Sequence, residues 1–462
     1  MKRRRVLIMI DTASRDALSQ LLIARYLTRK GVEVLLCNQL TQVAMCERYR
    51  PDVLFTTWTV VHGVGEYLQR IRHRTRIVLV DQEGGRLGPA AFKRTMLAYD
   101  RAKYRVAGAA TRVIAWGSLQ ARWLKELGCV DGERIVITGC PRLDPYRVPH
   151  GASGDGSKYI GVTLRGDVVT SLPAGIMRAV FQSLFVNPDD GLSASLPSRA
   201  QYEDWVWQTI AVTRHMFKMA MELSRRTPAR IVMRPGPWEV SDVYAFLPKE
   251  LARVSIDPGT LQHEYVKNAF VTIDESSTLG LESLLAGVPV VSLNALIPRL
   301  EDHVGGEDGA RFNAPFRVFY WRPGTLEEAV DHVLRAERGE LGLTPTPDAF
   351  RQYLSDCFDW PSSRPASFRT GDLLLELLDL PRGCEPEPCE DGGRDRLPGL
   401  KRAIYRVPGS AHASTALNWF QCRVWSRHRE SLRRYHYFDA DYPYRRSLDG
   451  LFTALWNAYE AR

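Results

Sequence analysis

No stretch of this 462-residue chain approaches the ~20 consecutive apolar residues that span a bilayer. The short apolar run Val6–Ile10 follows Met1-Lys2-Arg3-Arg4-Arg5 and stops at Asp11, too early for a signal peptide. A cytoplasmic protein is expected, at most peripheral at the inner face of the membrane. Cysteines are few and scattered. There are eight, and none shows the tight double spacing of a zinc site. A chain this long does not depend on disulfides, so reduced thiols and no bound metal are expected. Repeats of solenoid period are absent. Acidic residues are outnumbered, 53 against 62 basic ones, for a net charge of +9. A basic balance suits nucleic acid, an anionic membrane surface or phosphorylated small molecules, or no partner at all. Charge alone does not choose.

What is present is alternation. Val6–Ile10, Val32–Cys37, Val53–Thr57, Ile77–Val80, Arg112–Ala115 and Arg134–Thr138 read as strands. Ser19–Lys30 has helical spacing, with Gly31 as its C-terminal cap. Near-continuous apolar strands between helices indicate a parallel sheet covered on both faces. VPHGASGDGS, residues 148–157, reads as a linker. A second alternating unit follows. Its strands are Tyr159–Leu164, Ile231–Met233, Ala269–Ile273, Val288–Leu293 and Arg317–Tyr320; its helices are Gln201–Arg226 and Leu326–Glu337. Domains at 1–149 and 157–383 are therefore expected. The remainder, 384–462, sets Trp419, Trp425, Tyr435, Tyr437, Tyr442, Tyr444 and Trp456 among arginines. It reads as a helical extension packed on the body, with membrane-surface contact as the alternative.

The clearest constellation is DESSTLGLESLLAGVPVV, Asp274–Val291. It follows an apolar strand and opens a helix. Ser276, Ser277 and Thr278 suit a helix start. Free amides and a partial positive charge there favour a phosphate; a capped helix without a ligand is the plain alternative. Glu282, four residues after Thr278, falls on the same helix face. Arg234 ends a strand before Pro235-Gly236-Pro237 and can grip a phosphate or carboxylate in bidentate fashion. In VDQEGGRLG, Asp81 and Glu83 follow a first-domain strand and share a side in extended chain. A carboxylate there suits a general base or a nucleophile, or simply a surface turn. Gly84 permits a tight turn. Trp116 is a sugar platform or a core residue. Arg142, His263, and Arg15 with its neighbours Asp11 and Asp16, complete the substrate candidates.

In order, VDQEGG, AWGSLQ, ITGCPRLDPYR, VMRPGPWE and DESSTLGLESLLAGVPVV resemble the bacterial surface carbohydrate biosynthesis family. That family is similar to GT-B transferases, including β-Kdo transferases of capsule and lipopolysaccharide assembly. The likeness covers residues 5 to about 340. It implies an α/β fold of two Rossmann-like domains facing a cleft. It also implies a nucleotide-sugar donor, a glycan or lipid-linked glycan acceptor, no metal cofactor and no nucleic-acid partner. The motifs also resemble those of bacterial sialyltransferases, where the nucleotide is CMP and a Ser-Ser/Thr turn binds its phosphate. Ser276, Ser277 and Thr278 match that turn. Glu83-Gly84 match the acidic-glycine motif, with Gln82 at the preceding acid's place, and Gly236-Pro237 stands where the family has His-Pro.

The implied activity is sugar transfer, with a CMP-linked ulosonic acid such as Kdo as the candidate donor. Ser276, Ser277 and Thr278 then hold the donor phosphate, Arg234 and Glu282 position the nucleotide or sugar, and Asp81 or Glu83 is the base or nucleophile. Two alternatives stay open: a nucleotide-sugar 2-epimerase of the same two-lobed fold, and a non-catalytic glycan- or membrane-binding component of an assembly complex.

Overall fold

The computed structural model describes residues 4–11, 13–38, 41–57, 64–81, 107–128, 130–148, 158–164, 199–236, 244, 248, 251–257, 259–275, 277–296, 315–379 and 444–459. They divide into two compact units. The first takes the described residues up to Asp144 and from Leu354 onward; the second takes those from Pro145 to Tyr353.

The first unit is built on six parallel strands: β1 (Arg5–Ile10), β2 (Glu33–Asn38), β3 (Val53–Thr57), β4 (Arg76–Val80), β5 (Arg112–Ala115) and β6 (Ile135–Ile137). Their order is β2-β1-β3-β4-β5-β6. The central strands are fully buried, as uninterrupted apolar runs such as Val6–Met9 require. Four helices follow strands in turn: α1 (Ala13–Arg29), α2 (Gln42–Tyr49), α3 (Val64–Ile71) and α4 (Ser118–Glu126).

The second unit has five parallel strands: β7 (Tyr159–Thr163), β8 (Ile231–Arg234), β9 (Val254–Ile256), β10 (Ala269–Ile273) and β11 (Val290–Val291). The order is β11-β10-β7-β8-β9. Its helices are α5 (Arg199–Arg226), α6 (Gln262–Lys267), α7 (Thr278–Leu285) and α8 (Leu326–Glu337). Met216, Met219 and Leu223 of α5 and Val330 and Val333 of α8 share a core with β7, β8 and β10. One expected strand is a 3-10 turn instead: Pro315–Phe319 replaces the expected Arg317–Tyr320 strand. Phe316, Phe319 and Tyr320 are buried while Val318 is exposed. That spacing is helical, not alternating. The short β9 has no counterpart among the expected strands.

After α9 (Pro347–Phe358) the chain rejoins the first unit, where α10 (Ala366–Asp379) and α11 (Tyr444–Tyr459) complete it. Sequence order had placed residues up to 383 in the second domain. The apolar face of α10 instead finds its partner on α1. The Tyr26 and Phe368 rings stack at 4.9 Å, and the Tyr26 hydroxyl donates to Asp372 at 2.5 Å. From α11, Phe452 and Leu455 are buried, Trp456 stacks on Phe452 at 5.7 Å, and Arg29 lies 4.7 Å over the Trp456 ring. This end of the aromatic tail is therefore packing material. Trp419, Trp425, Tyr435, Tyr437 and Tyr442 lie outside the described residues. Among the described residues, no helix is long and apolar enough to cross a membrane.

Where the strand order of an open parallel sheet reverses, adjacent crossovers leave on opposite faces and open a crevice at the strands' carboxyl ends. The reversal falls between β1 and β3 in the first sheet and between β7 and β10 in the second.

Candidate functional site

At the second reversal, the residues that close the two strands bond to each other. Thr163, the last residue of β7, donates through Oγ1 to Oδ1 of Asp274, which directly follows β10. The other carboxylate oxygen accepts the Ser277 amide at 3.1 Å. Asp274 is fully buried. It ties the sheet to the loop that opens α7. Ser277 is the N-cap of that helix: its backbone is extended and its Oγ accepts the Leu279 amide at 3.1 Å. Thr278 is the first helical residue. Amides without an intrahelical acceptor and the helix dipole make such an end attractive to an anion.

Close approach of α7 depends on a glycine. A Cβ on Gly280 would lie 2.6 Å from Asp274 Oδ2 and would overlap the Tyr320 hydroxyl. Tyr320 is fully buried, and burial, then the neighbouring Asp274 charge, push its hydroxyl far above its usual range. It stays protonated. The loop after β11 braces the same turn. Glu275 Oε1 accepts the Leu293 amide at 3.0 Å, and Asn294 Nδ2 donates to the Glu275 carbonyl at 3.0 Å.

Arg234 ends β8 opposite Thr163 in register. Its Nη1 donates to Asp257 and, at 2.7 Å, to the Thr260 carbonyl, and its guanidinium lies 5.1 Å over the Tyr265 ring. The arginine expected on a phosphate is thus already held by a carboxylate; its Nε and Nη2 make no hydrogen bond among the described residues. Glu282 is buried and accepts the Tyr146 hydroxyl at 2.6 Å. Lys267 donates to the carbonyls of Pro145 and Val148 at 2.8 and 3.0 Å, and burial lowers its pKa. His263 is half-buried in the first turn of α6.

In the first unit, Asp81 is buried directly after β4. Arg15 bonds to Asp11 at 3.2 Å and to Asp16 at 3.0 Å, and Arg142 lies 3.8 Å from Asp16. Trp116 is buried beside Phe358, with the Arg142 guanidinium 6.0 Å over its ring. The covered ring leaves no open face for a sugar. Glu83, Gly84 and Ser276 lie outside the described residues.

The structure therefore brings Arg234, Ser277 and Thr278 to the carboxyl ends of β8 and β10, the two strands that flank β7. It adds Asp274, Thr163, Tyr146 and Asn294, which sequence reasoning did not single out. Asp274 opens the motif, but its partner Thr163 lies 111 residues upstream, so only the sheet reveals the pair.

No family model matches the chain. Protein FixF of Sinorhizobium fredii (strain NBRC 101917 / NGR234) is 29% identical over 119 residues, covering 24% of this chain and 28% of FixF. The match thus spans little more than a quarter of that relative. Among solved structures, a variant of the wall teichoic acid polymerase TagF superposes with a TM-score of 0.51 at 12% identity, covering 81% of this chain and 89% of that one. A UDP-GlcNAc 2-epimerase of Methanocaldococcus jannaschii, in complex with UDP-GlcNAc and UDP, gives 0.47 at 13% identity, covering 80% and 99%. The two parallel sheets with their helices, together with the TagF likeness, give an α/β fold of the GT-B glycosyltransferase type.

Proposed function

We propose that the chain is a glycosyltransferase that takes a nucleotide-activated sugar, with the donor phosphate seated at the Ser277-capped start of α7. The observation that carries this reading is the position of that helix start. It stands where the strand order reverses between β7 and β10, the place at which parallel sheets receive nucleotides. Ser276, Ser277 and Thr278 supply hydroxyls at the positive end of the α7 dipole, and Arg234, held by Asp257, stands at the end of β8 on the far side of β7. Together they stabilise the charge that develops on the leaving phosphate. Glu282 acts indirectly, by holding Tyr146 against α7. Asp81 or Glu83 serves as base towards an acceptor hydroxyl or as nucleophile on the sugar. The Ser-Ser-Thr turn favours a CMP-linked ulosonic acid such as Kdo as donor. The acceptor in this reading is a surface glycan or its lipid-linked precursor.

Melting shifts with CMP, UDP and GDP identify the nucleotide. Transfer assays on Ser277→Ala, Asp81→Asn and Glu83→Gln then assign the roles. Ser277→Ala should weaken nucleotide binding and transfer together. One of the two carboxylate variants should lower kcat while binding nucleotide normally. Undiminished transfer in all three overturns the site. Conversion of the donor without any acceptor identifies a 2-epimerase instead, and no shift with any nucleotide identifies a non-enzymatic component.

A further inference from the structure

We infer that Asp274 is the positioning residue of the donor site, setting the first turn of α7 against the end of β7 at a distance that Gly280 and Tyr320 fix. This rests on the donor-phosphate reading above. A carboxylate beside a bound phosphate is electrostatically unfavourable. Its place here is explained by what its two oxygens do. One takes the hydroxyl that closes β7, and the other takes the amide of the residue that caps α7. With its amide so held, Ser277 turns its own Oγ onto Leu279. The helix start is thereby bolted to the sheet through a single side chain with no exposed surface. Gly280 lets the first turn sit directly over that side chain, with the Tyr320 hydroxyl closing the other side.

A separate observation points to a ligand at this turn. Asn294 is 1% exposed, its Nδ2 is fixed on the Glu275 carbonyl, and its Oδ1 has no hydrogen-bond partner among the described residues. Buried acceptors in folded proteins are nearly always satisfied. An unmet amide oxygen beside the phosphate turn fits a hydroxyl or amino group of the bound nucleotide sugar.

Asp274→Asn gives the test a sign. Removing a negative charge should tighten an anionic ligand if electrostatics alone mattered. Positioning predicts the reverse: a nucleotide Kd raised about tenfold, the scale of one lost charge-assisted hydrogen bond. Gly280→Ala leaves the charge unchanged and should weaken binding in the same direction. Ser283→Ala is the control. Its Oγ bonds to Thr272 at 3.0 Å and to the Leu279 carbonyl at 2.9 Å, and it touches neither Asp274 nor Ser277 through these bonds. It should lower the melting temperature and leave the Kd unchanged. If Asp274→Asn does not fold, Tyr320→Phe and Gly280→Ala carry the test. Kd values for Asp274→Asn and Gly280→Ala at or below wild type overturn the positioning role and leave the donor reading intact. A Ser283→Ala variant that loses affinity as they do also overturns it, since general destabilisation then explains the effect. A wild-type chain that binds none of CMP, UDP and GDP overturns the donor reading and this inference together.

Discussion

The first sheet reverses between β1 and β3 and the second between β7 and β10, but the strand ends are finished with opposite chemistry. Beyond β1, two carboxylates, Asp11 and Asp16, are matched by two guanidiniums, Arg15 and Arg142. Each carboxylate there lies against a guanidinium. Beyond β10, one carboxylate is spent on a hydroxyl and an amide, and a capped helix start follows. Topology supplies an equivalent crevice in both sheets. The residues placed there decide whether an incoming phosphate gains anything. In the proposed reading, a phosphate at the first reversal would have to break that ion-pair cluster, whereas at the start of α7 it would meet hydroxyls and the positive end of a helix dipole.

Cysteine separates the units as well. Residues 145–353 contain none, while Cys37, Cys46, Cys140 and Cys357 are buried free thiols of the first unit. Thiol labelling therefore reports on one unit alone and gives a way to break the comparison. The largest effect is expected from Gly117→Ala. Its Cβ would overlap the Asp356 carbonyl oxygen and lie 2.5 Å from the Cys357 carbonyl carbon. Backbone cannot yield as a side chain can, so the cost is about 3 kcal/mol or more. It should appear as a lower urea midpoint for thiol exposure, with the Gly280→Ala midpoint in that assay unchanged. Asp144→Ala comes next. Its buried carboxylate accepts the amides of Ala366 and Ser367 at 2.9 and 2.7 Å. Losing it should destabilise the same transition by about 2 kcal/mol.

Much of this architecture was legible in sequence because parallel strands buried on both faces are continuous apolar runs. Val53–Thr57 and Ala269–Ile273 match their observed bounds. Three-residue β9 was not legible, since Val254-Ser255-Ile256 has too little pattern to register. Nor was the return of α10 to the first unit, because Tyr26 and its partner Asp372 stand 346 residues apart. At the site, the hydroxyls of DESST declare a helix cap by their type alone. The work of Asp274 depends on Thr163 and Gly280 lying where the fold brings them, and residue type does not announce that.

Alkaline pH should sharpen the contrast with a smaller effect. Burial raises the thiol of Cys37, and that of Cys46 to about 12, in the first unit; it raises the hydroxyls of Tyr159, Tyr265 and Tyr320 in the second. A group held protonated in the fold contributes stability that is complete below its unfolded pKa and is lost as pH climbs towards the folded value. The first unit should therefore start to weaken from the unfolded thiol value of 9.0, and the second from the tyrosine value of 10.0. Hydrogen exchange resolved by segment between pH 8 and 10.5 checks the order. Simultaneous loss in both units would contradict it. The smallest effect is kinetic: at pH 8, Cys46 should resist iodoacetamide in the native protein and react only as the first unit opens.

The stacking of Tyr26 on Phe368 and Phe452 on Trp456 also bears on how the protein is made. Translation delivers the β-strands of the first unit early, yet α10 and α11 emerge only after the whole of the second unit has been synthesised. The second unit, whose described residues all fall between Pro145 and Tyr353, can mature while the first still waits with Tyr26 and the apolar face of α1 uncovered. Such a half-finished surface invites wrong partners at cellular concentrations. The lobe that is started first is finished last, and until then it is the natural client for a chaperone.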